Sequence, residues 1–271
     1  MGRKLKELLI EKDYFSAENE LHRIELVQKL LAERFPFENL DVLLKVEDPV
    51  TPDFIEEKML QNGRGGLCYE LNALQHLLLS ELGFKVYLAS ATVASGDGWA
   101  TDRTHVMNLF ERDGKLYVID SGFGSNLPLQ PVELDGPSVK SFAGEFRLRT
   151  CSTEKGTMVY QSRTHKGWQT RYAFFPEKVA WSDLNRIKRE IHTSAQSAFN
   201  QELLIAQLSP GEIISLNEER LQIKRSEGEN QRHHFLDEDE MLKHIESNFP
   251  EPVYKAAAQY VHMKKEGRKN A

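Results

Sequence analysis

Apolar positions follow a helical period up to about residue 83 and a strand period after it. Leu21, Ile24, Val27, Leu30 and Leu31 recur at helical spacing. That run stops before Phe35-Pro36, because proline disfavours helix in the residue ahead of it. Residues 51–60 predict a second helix, with Thr51 as N-cap and Pro52 at the first position. Leu71, Ala73, Leu74, Leu77, Leu78 and Leu79 predict a third, ended by Gly83. From Phe84 the pattern alternates: 84–89, 105–110 and 115–119 read as strands. The last two flank Glu111-Arg112-Asp113-Gly114, and Asp-Gly between alternating runs marks a hairpin. Strands are also expected at 145–150, 158–161, 170–174, 213–216 and 221–224, with helices inside 181–199 and at 237–249. The tail from Ala256 is basic and reads as partly frayed. The class predicted is α+β.

One turn concentrates candidate chemistry. Three glycines crowd the approach to a thiol in Asn62-Gly63-Arg64-Gly65-Gly66-Leu67-Cys68-Tyr69-Glu70-Leu71-Asn72, and the third helical run follows at once. Glycine permits positive φ and close packing, so a sharp turn can feed straight into a helix. Cys68 then stands near a helix N-terminus, where unpaired N–H groups and the helix dipole favour thiolate over thiol. His105, in Thr104-His105-Val106-Met107-Asn108, is the candidate base. Asp120, in Asp120-Ser121-Gly122-Phe123-Gly124, is the candidate carboxylate that orients it. The hairpin brings these two together, and pairing them centres its turn between Arg112 and Asp113.

Each residue alone has a plainer reading: Cys68 as inert core thiol, His105 as a hydrogen-bonded strand histidine, Asp120 as a turn residue. Arg64 and Glu70 read as structural charges that hold the glycine turn, and Asn72 and Asn108 as loop or supporting hydrogen bonders. His233-His234 lacks a spaced ligand partner, and neighbours on a strand point oppositely, so no metal is expected.

Composition narrows the class. The chain has 271 residues, 40% hydrophobic and 28% charged, enough for two or three sub-domains. A net charge of −6 argues against nucleic acid as a partner. Two cysteines, Cys68 and Cys151, argue against a disulfide framework; counting alone allows one bridge between them, which would consume the candidate nucleophile, and a reducing, cytoplasmic setting is the simplest reading. Met1–Glu7 contains no apolar signal core, and no stretch approaches the roughly 20 apolar residues of a membrane span. Neither glycine-rich nucleotide fingerprint is present.

Four strings together closely resemble the arylamine N-acetyltransferase family. They are Pro36-Phe37-Glu38-Asn39-Leu40, Arg64-Gly65-Gly66-Leu67-Cys68-Tyr69-Glu70, Thr104-His105-Val106-Met107-Asn108 and Asp120-Ser121-Gly122-Phe123-Gly124, and their order and spacing also fit. The resemblance runs from about Tyr14 to Pro250. It implies a helical bundle over 1–83 carrying Cys68, a β-barrel over 84–190 carrying His105 and Asp120, and an α/β lid over 191–271, around a cysteine-protease-like Cys-His-Asp core. It implies ping-pong transfer of an acetyl group from acetyl-coenzyme A, through acetyl-Cys68, to arylamines, arylhydrazines or N-hydroxyarylamines, a route of xenobiotic detoxification.

The same resemblance implies cofactor contacts at Thr104, Gly124 and Ser125 and an acceptor pocket at Phe37 and Phe123. For the oxyanion it suggests the N–H of Cys68 and one near Arg103 or Thr104. No metal is implied, and a monomer or weak homodimer is expected. One departure stands out: the family commonly has a small apolar residue where Ser121 is. The alternatives are a transglutaminase-like or papain-like amide hydrolase, and a biosynthetic amide synthase acting on a cell metabolite.

Overall fold

A computed structural model describes residues 14–269 together with Leu9. Met1–Glu7, read above for a signal core, and Asn270 and Ala271 of the basic tail lie outside the described residues. The order begins α1 (Glu20–Arg34), β1 (Phe37–Glu38), α2 (Leu40–Leu43), α3 (Pro52–Ile55), α4 (Cys68–Glu81). Asn19 caps α1 by accepting the His22 N–H, and Thr51 caps α3 by accepting the Phe54 N–H. Beyond α3 the predicted helix continues as a π-helical turn over Glu56–Gln61, which the periodicity did not foretell. α4 ends as expected, with Gly83 at φ +90°.

Strands follow: β2 (Val86–Ser95), β3 (Gly98–Trp99), β4 (His105–Arg112), β5 (Lys115–Ile119), β6 (Val132–Glu133), β7 (Val139–Ser141), β8 (Gly144–Thr153), β9 (Gly156–Thr164) and β10 (Gly167–Lys178). β2 begins later than predicted, because the Phe84 N–H still donates to the Leu79 carbonyl at the end of α4. These nine strands form one antiparallel sheet in the order β6-β5-β4-β2-β10-β9-β8-β7, with β3 on β2. A bridge between Leu134 and Leu148 ties the β6 edge back to β8, so the sheet curls into a nearly closed barrel. Met107, Leu109, Val118, Phe146, Leu148, Tyr160 and Tyr172 fill it.

The chain then forms α5 (Trp181–Thr193), β11 (Leu204–Ser209), β12 (Glu212–Asn217), β13 (Arg220–Arg225), β14 (Gln231–His234), α6 (Glu238–Asn248) and α7 (Glu251–Lys269). The second sheet runs β1-β11-β12-β13-β14, so the short strand after α1 supplies its edge: Phe37 pairs with Ala206. α7 corrects the frayed-tail expectation. Pro252 is tolerated in its first turn, where no intrahelical N–H is needed. Val253, Ala257 and Val261 bury one face, while Lys264 pairs with Glu218 and Arg268 with Glu238. No helix among the described residues is long and apolar enough to cross a membrane.

Candidate active site

Cys68 is the first residue of α4, delivered by a turn that works through close approach. A Cβ at Gly65 would lie 1.8 Å from the Pro36 carbonyl oxygen, and one at Gly122 would lie 2.7 Å from Cys68 Cα. Glu70 reaches back to accept the Leu67 N–H at 2.9 Å, as a capping residue at the third helical position does. Beneath this turn the expected structural charges find partners other than each other. Arg64 pairs with Glu38 and Asp41 (2.8 Å each), and Lys58 pairs with Asp41 (2.7 Å) and Glu70 (2.6 Å). Burial pushes the Asp41 carboxyl up, but Lys58 and Arg64 outweigh it and hold Asp41 down at about 2.

The hairpin register differs from the one expected. Asp113 and Gly114 form the two-residue turn with φ of +52° and +73°, and Arg112 pairs with Lys115 and Asn108 with Ile119. Asp120 therefore lies just past the last paired residue, across from Met107 rather than His105. The two still share a sheet face and meet on the diagonal, within reach of long side chains. His105 Nε2 and Asp120 Oδ2 are 2.7 Å apart and both are buried.

Asp120 is held by further donors. Its Oδ1 accepts from Asn72 Nδ2 (2.9 Å) and the Gly122 N–H (2.8 Å), and its Oδ2 also accepts from the Tyr172 hydroxyl (3.1 Å). Burial pushes its pKa up, but His105, Asn72 and Gly122 bring it below the ordinary carboxylate value. Burial alone pulls the His105 imidazole down, yet Asp120 and then the Cys68 thiol carry it up to about 10. With Nε2 on Asp120, Nδ1 is left for the thiol. Cys68 Sγ also lies 3.5 Å from the Thr104 carbonyl oxygen.

Asn72 and Asn108 are fully buried, on α4 and β4, rather than in loops. Asn72 also donates to the Val106 carbonyl and accepts the Ser121 N–H. Asn108 donates to Gln75 Oε1, and Gln75 in turn donates to the Ser121 hydroxyl at 2.6 Å. That last bond gives the departure at Ser121 a physical reason: its hydroxyl satisfies a buried amide.

A cavity of about 460 Å³ opens over Cys68 and His105, and Phe37, Phe123, Thr104, Gly124 and Ser125 all line it. Asp120 sits behind His105, outside the lining. Phe123 meets the His105 ring edge-on at 5.0 Å. Of the suggested oxyanion donors, the Arg103 N–H is engaged by Thr92 Oγ1 at 3.0 Å. Sequence reasoning missed Tyr172, whose strand was foreseen but not its contact with Asp120. It also missed the far wall of Phe199, Leu204, Ala206 and Ser215. No local signal marks that wall; strand pairing of β1 with β11 brings it to Phe37.

The family described as N-acetyltransferase matches residues 20–256. The uncharacterized acetyltransferase YvcN of Bacillus subtilis is 38% identical over 224 residues, covering 82% of this chain and 87% of its own length. The NAT3 arylamine N-acetyltransferase of Bacillus cereus, noted for a unique Cys-His-Glu catalytic triad, superposes with a TM-score of 0.83 at 30% identity over 92% of this chain and 98% of that one. Here the carboxylate beside the histidine belongs to an aspartate. The Mycobacterium marinum arylamine N-acetyltransferase in complex with CoA shares the fold, with a TM-score of 0.78 at 24% identity over 93% and 96% of the two chains.

Proposed function

The chain belongs to the arylamine N-acetyltransferase family, and from that premise we propose that it carries an acetyl group from acetyl-coenzyme A to an aromatic amine in two steps through Cys68. The observation that carries this reading is the buried Asp120–His105 pair set behind a helix-start thiol at the edge of an apolar cavity. Asp120 keeps one His105 proton on Nε2, so Nδ1 is the nitrogen that holds the proton drawn from the thiol, and the sulfur attacks the thioester carbonyl as a thiolate beside the imidazolium. The C–S bond to coenzyme A breaks, and the leaving thiolate recovers that proton from His105. The amine nitrogen then attacks acetyl-Cys68, passes a proton to His105, and the Cys68 sulfur leaves. The N–H of Cys68, in the first helical turn and without an intrahelical acceptor, faces the oxyanion; Thr104 rather than Arg103 supplies the second donor.

Thr104, Gly124 and Ser125 border the coenzyme A arm. Phe37, Phe123 and Phe199 offer flat apolar walls to an arylamine, arylhydrazine or N-hydroxyarylamine. Both cysteines are unpaired, in keeping with a reducing cytoplasm.

The test is intact-protein mass spectrometry after mixing with acetyl-coenzyme A and no amine. One added acetyl group, removed by an arylamine and absent in Cys68→Ala, is the expected result. Failure to gain an adduct at any time point, with no free coenzyme A produced, overturns the donor assignment.

A further inference from the structure

Away from the cavity, the second sheet ends on β14, and the chain turns from there directly into α6. His233 lies on β14 opposite Leu221, whose side chain is buried, so it projects from the sheet face that carries the helices. Glu240 is the third residue of α6, and Asp237 caps that helix by accepting the Glu240 N–H at 2.8 Å. His244 stands one turn further along, on the same side of the helix as Glu240. The fold thus gives His233 the partners that its own neighbourhood in the sequence lacks.

The three side chains already converge. His233 Nε2 lies 2.9 Å from Glu240 Oε1, and the His233 and His244 rings are 4.6 Å apart. One ligand-type atom from each of the three falls within 4.8 Å of the others. Phe235 walls one side, 5.9 Å from the His233 ring and 5.4 Å from that of His244. The second Glu240 oxygen accepts the Leu236 N–H at 2.6 Å, which fixes the carboxylate from behind. Metal-ligating carboxylates are commonly steadied by such an outer hydrogen bond.

We propose that His233, Glu240 and His244 form a binding site for a divalent transition-metal ion, with Zn²⁺ as the expected occupant. Two imidazoles and one carboxylate suit zinc and its copper and nickel neighbours, whereas Mg²⁺ and Ca²⁺ favour a cage of oxygens. Zinc ligands at about 2.0–2.1 Å in a tetrahedron stand about 3.3 Å from one another, a contraction that rotation of half-exposed side chains supplies. On binding, His233 presents a neutral imidazole: its one remaining ring proton sits on the nitrogen away from the metal, and the other nitrogen turns its lone pair to the ion. Glu240 Oε1 exchanges its contact with His233 for the ion, and the fourth position is left to water. The ion would fasten the last strand of the sheet to the helix that follows it. It has no part in acetyl transfer.

The experiment is calorimetric titration of Zn²⁺ into Cys68→Ala/Cys151→Ser protein, which removes both thiols as competing ligands. One equivalent is expected to bind, with affinity falling at least tenfold in His244→Asn and in His233→Asn. Affinity should be unchanged in His234→Asn, whose side chain leaves the opposite face of the strand, and Mg²⁺ should give no saturable heat. The two sensitive variants lie on different elements, and a thermal melt of each without metal confirms that it folds. Undiminished zinc binding in both, or no saturable binding to the parent, overturns the site.

Discussion

Two buried polar networks meet at the first turn of α4, and they are built from different materials. Beneath the glycine turn lie five full charges: Arg64 and Lys58 against Glu38, Asp41 and Glu70. Behind His105 lies a single carboxylate, surrounded by neutral donors from Asn72, Gly122 and Tyr172. In the first network each of the three carboxylates is already in contact with at least one of the two cations, so it can fix a backbone but has little capacity left to polarise anything else. In the second, neutral donors leave the negative charge of Asp120 to act on one imidazole. A buried ion cluster suits a scaffold, and a buried lone charge among dipoles suits chemistry.

The largest expected effect comes from giving the second network the wrong hydrogen pattern. In Asp120→Asn the amide oxygen stays with Asn72 and Gly122, and the NH₂ faces His105 Nε2. Nε2 must then accept, so Nδ1 carries the proton and cannot take one from the thiol. Turnover should fall by about 10⁴-fold while the fold is retained. A loss under tenfold, measured with circular dichroism alongside, would mean that Asp120 only packs.

Lys58→Met inverts the comparison. It leaves Asp41 and Glu70 without their shared cation and should lower stability by about 3–5 kcal/mol, the range for a broken buried pair. Denaturant unfolding checks this. A change below about 1 kcal/mol would show that Arg64 alone holds the turn.

The smallest effect is a tilt with pH. Because the folded-state pKa of His105 is raised, its pairing stabilises fully below its ordinary value and weakens as pH rises toward about 10. Asp120, lowered, contributes above its ordinary value, and that contribution is lost only as pH falls through its depressed folded value. Wild-type stability should therefore decline between pH 6.5 and 10 more steeply than that of Asp120→Asn. Parallel melting curves across that window would argue against the pair.

Much of this was legible because it is local. The glycines, the helix-start thiol and the Asp-Gly turn each carry their signal within a few residues. The expected register differs from the observed one by two positions because pairing the strand ends His105 and Asp120 ignores the turn residues Asp113 and Gly114, which set the pairing from the other end. α7 was missed because Pro250 and Pro252 suggest a break, and because its buried face is made partly of alanines that contrast weakly with their surroundings. The far cavity wall depends on pairing between distant segments, which no local pattern records.

The two-residue strand β1 also bears on when the enzyme matures. Phe37 borders the cavity, Glu38 receives Arg64, and next to them the Asn39 side chain accepts the N–H of Leu204, 165 residues away. Synthesis runs from the amino end, and a contact of such long separation closes late. The nascent chain thus exposes its thiol long before the ribosome has made the segment that walls it in. Competence for acetyl transfer therefore waits on the pairing of β1 with β11, long after Cys68 itself has been made.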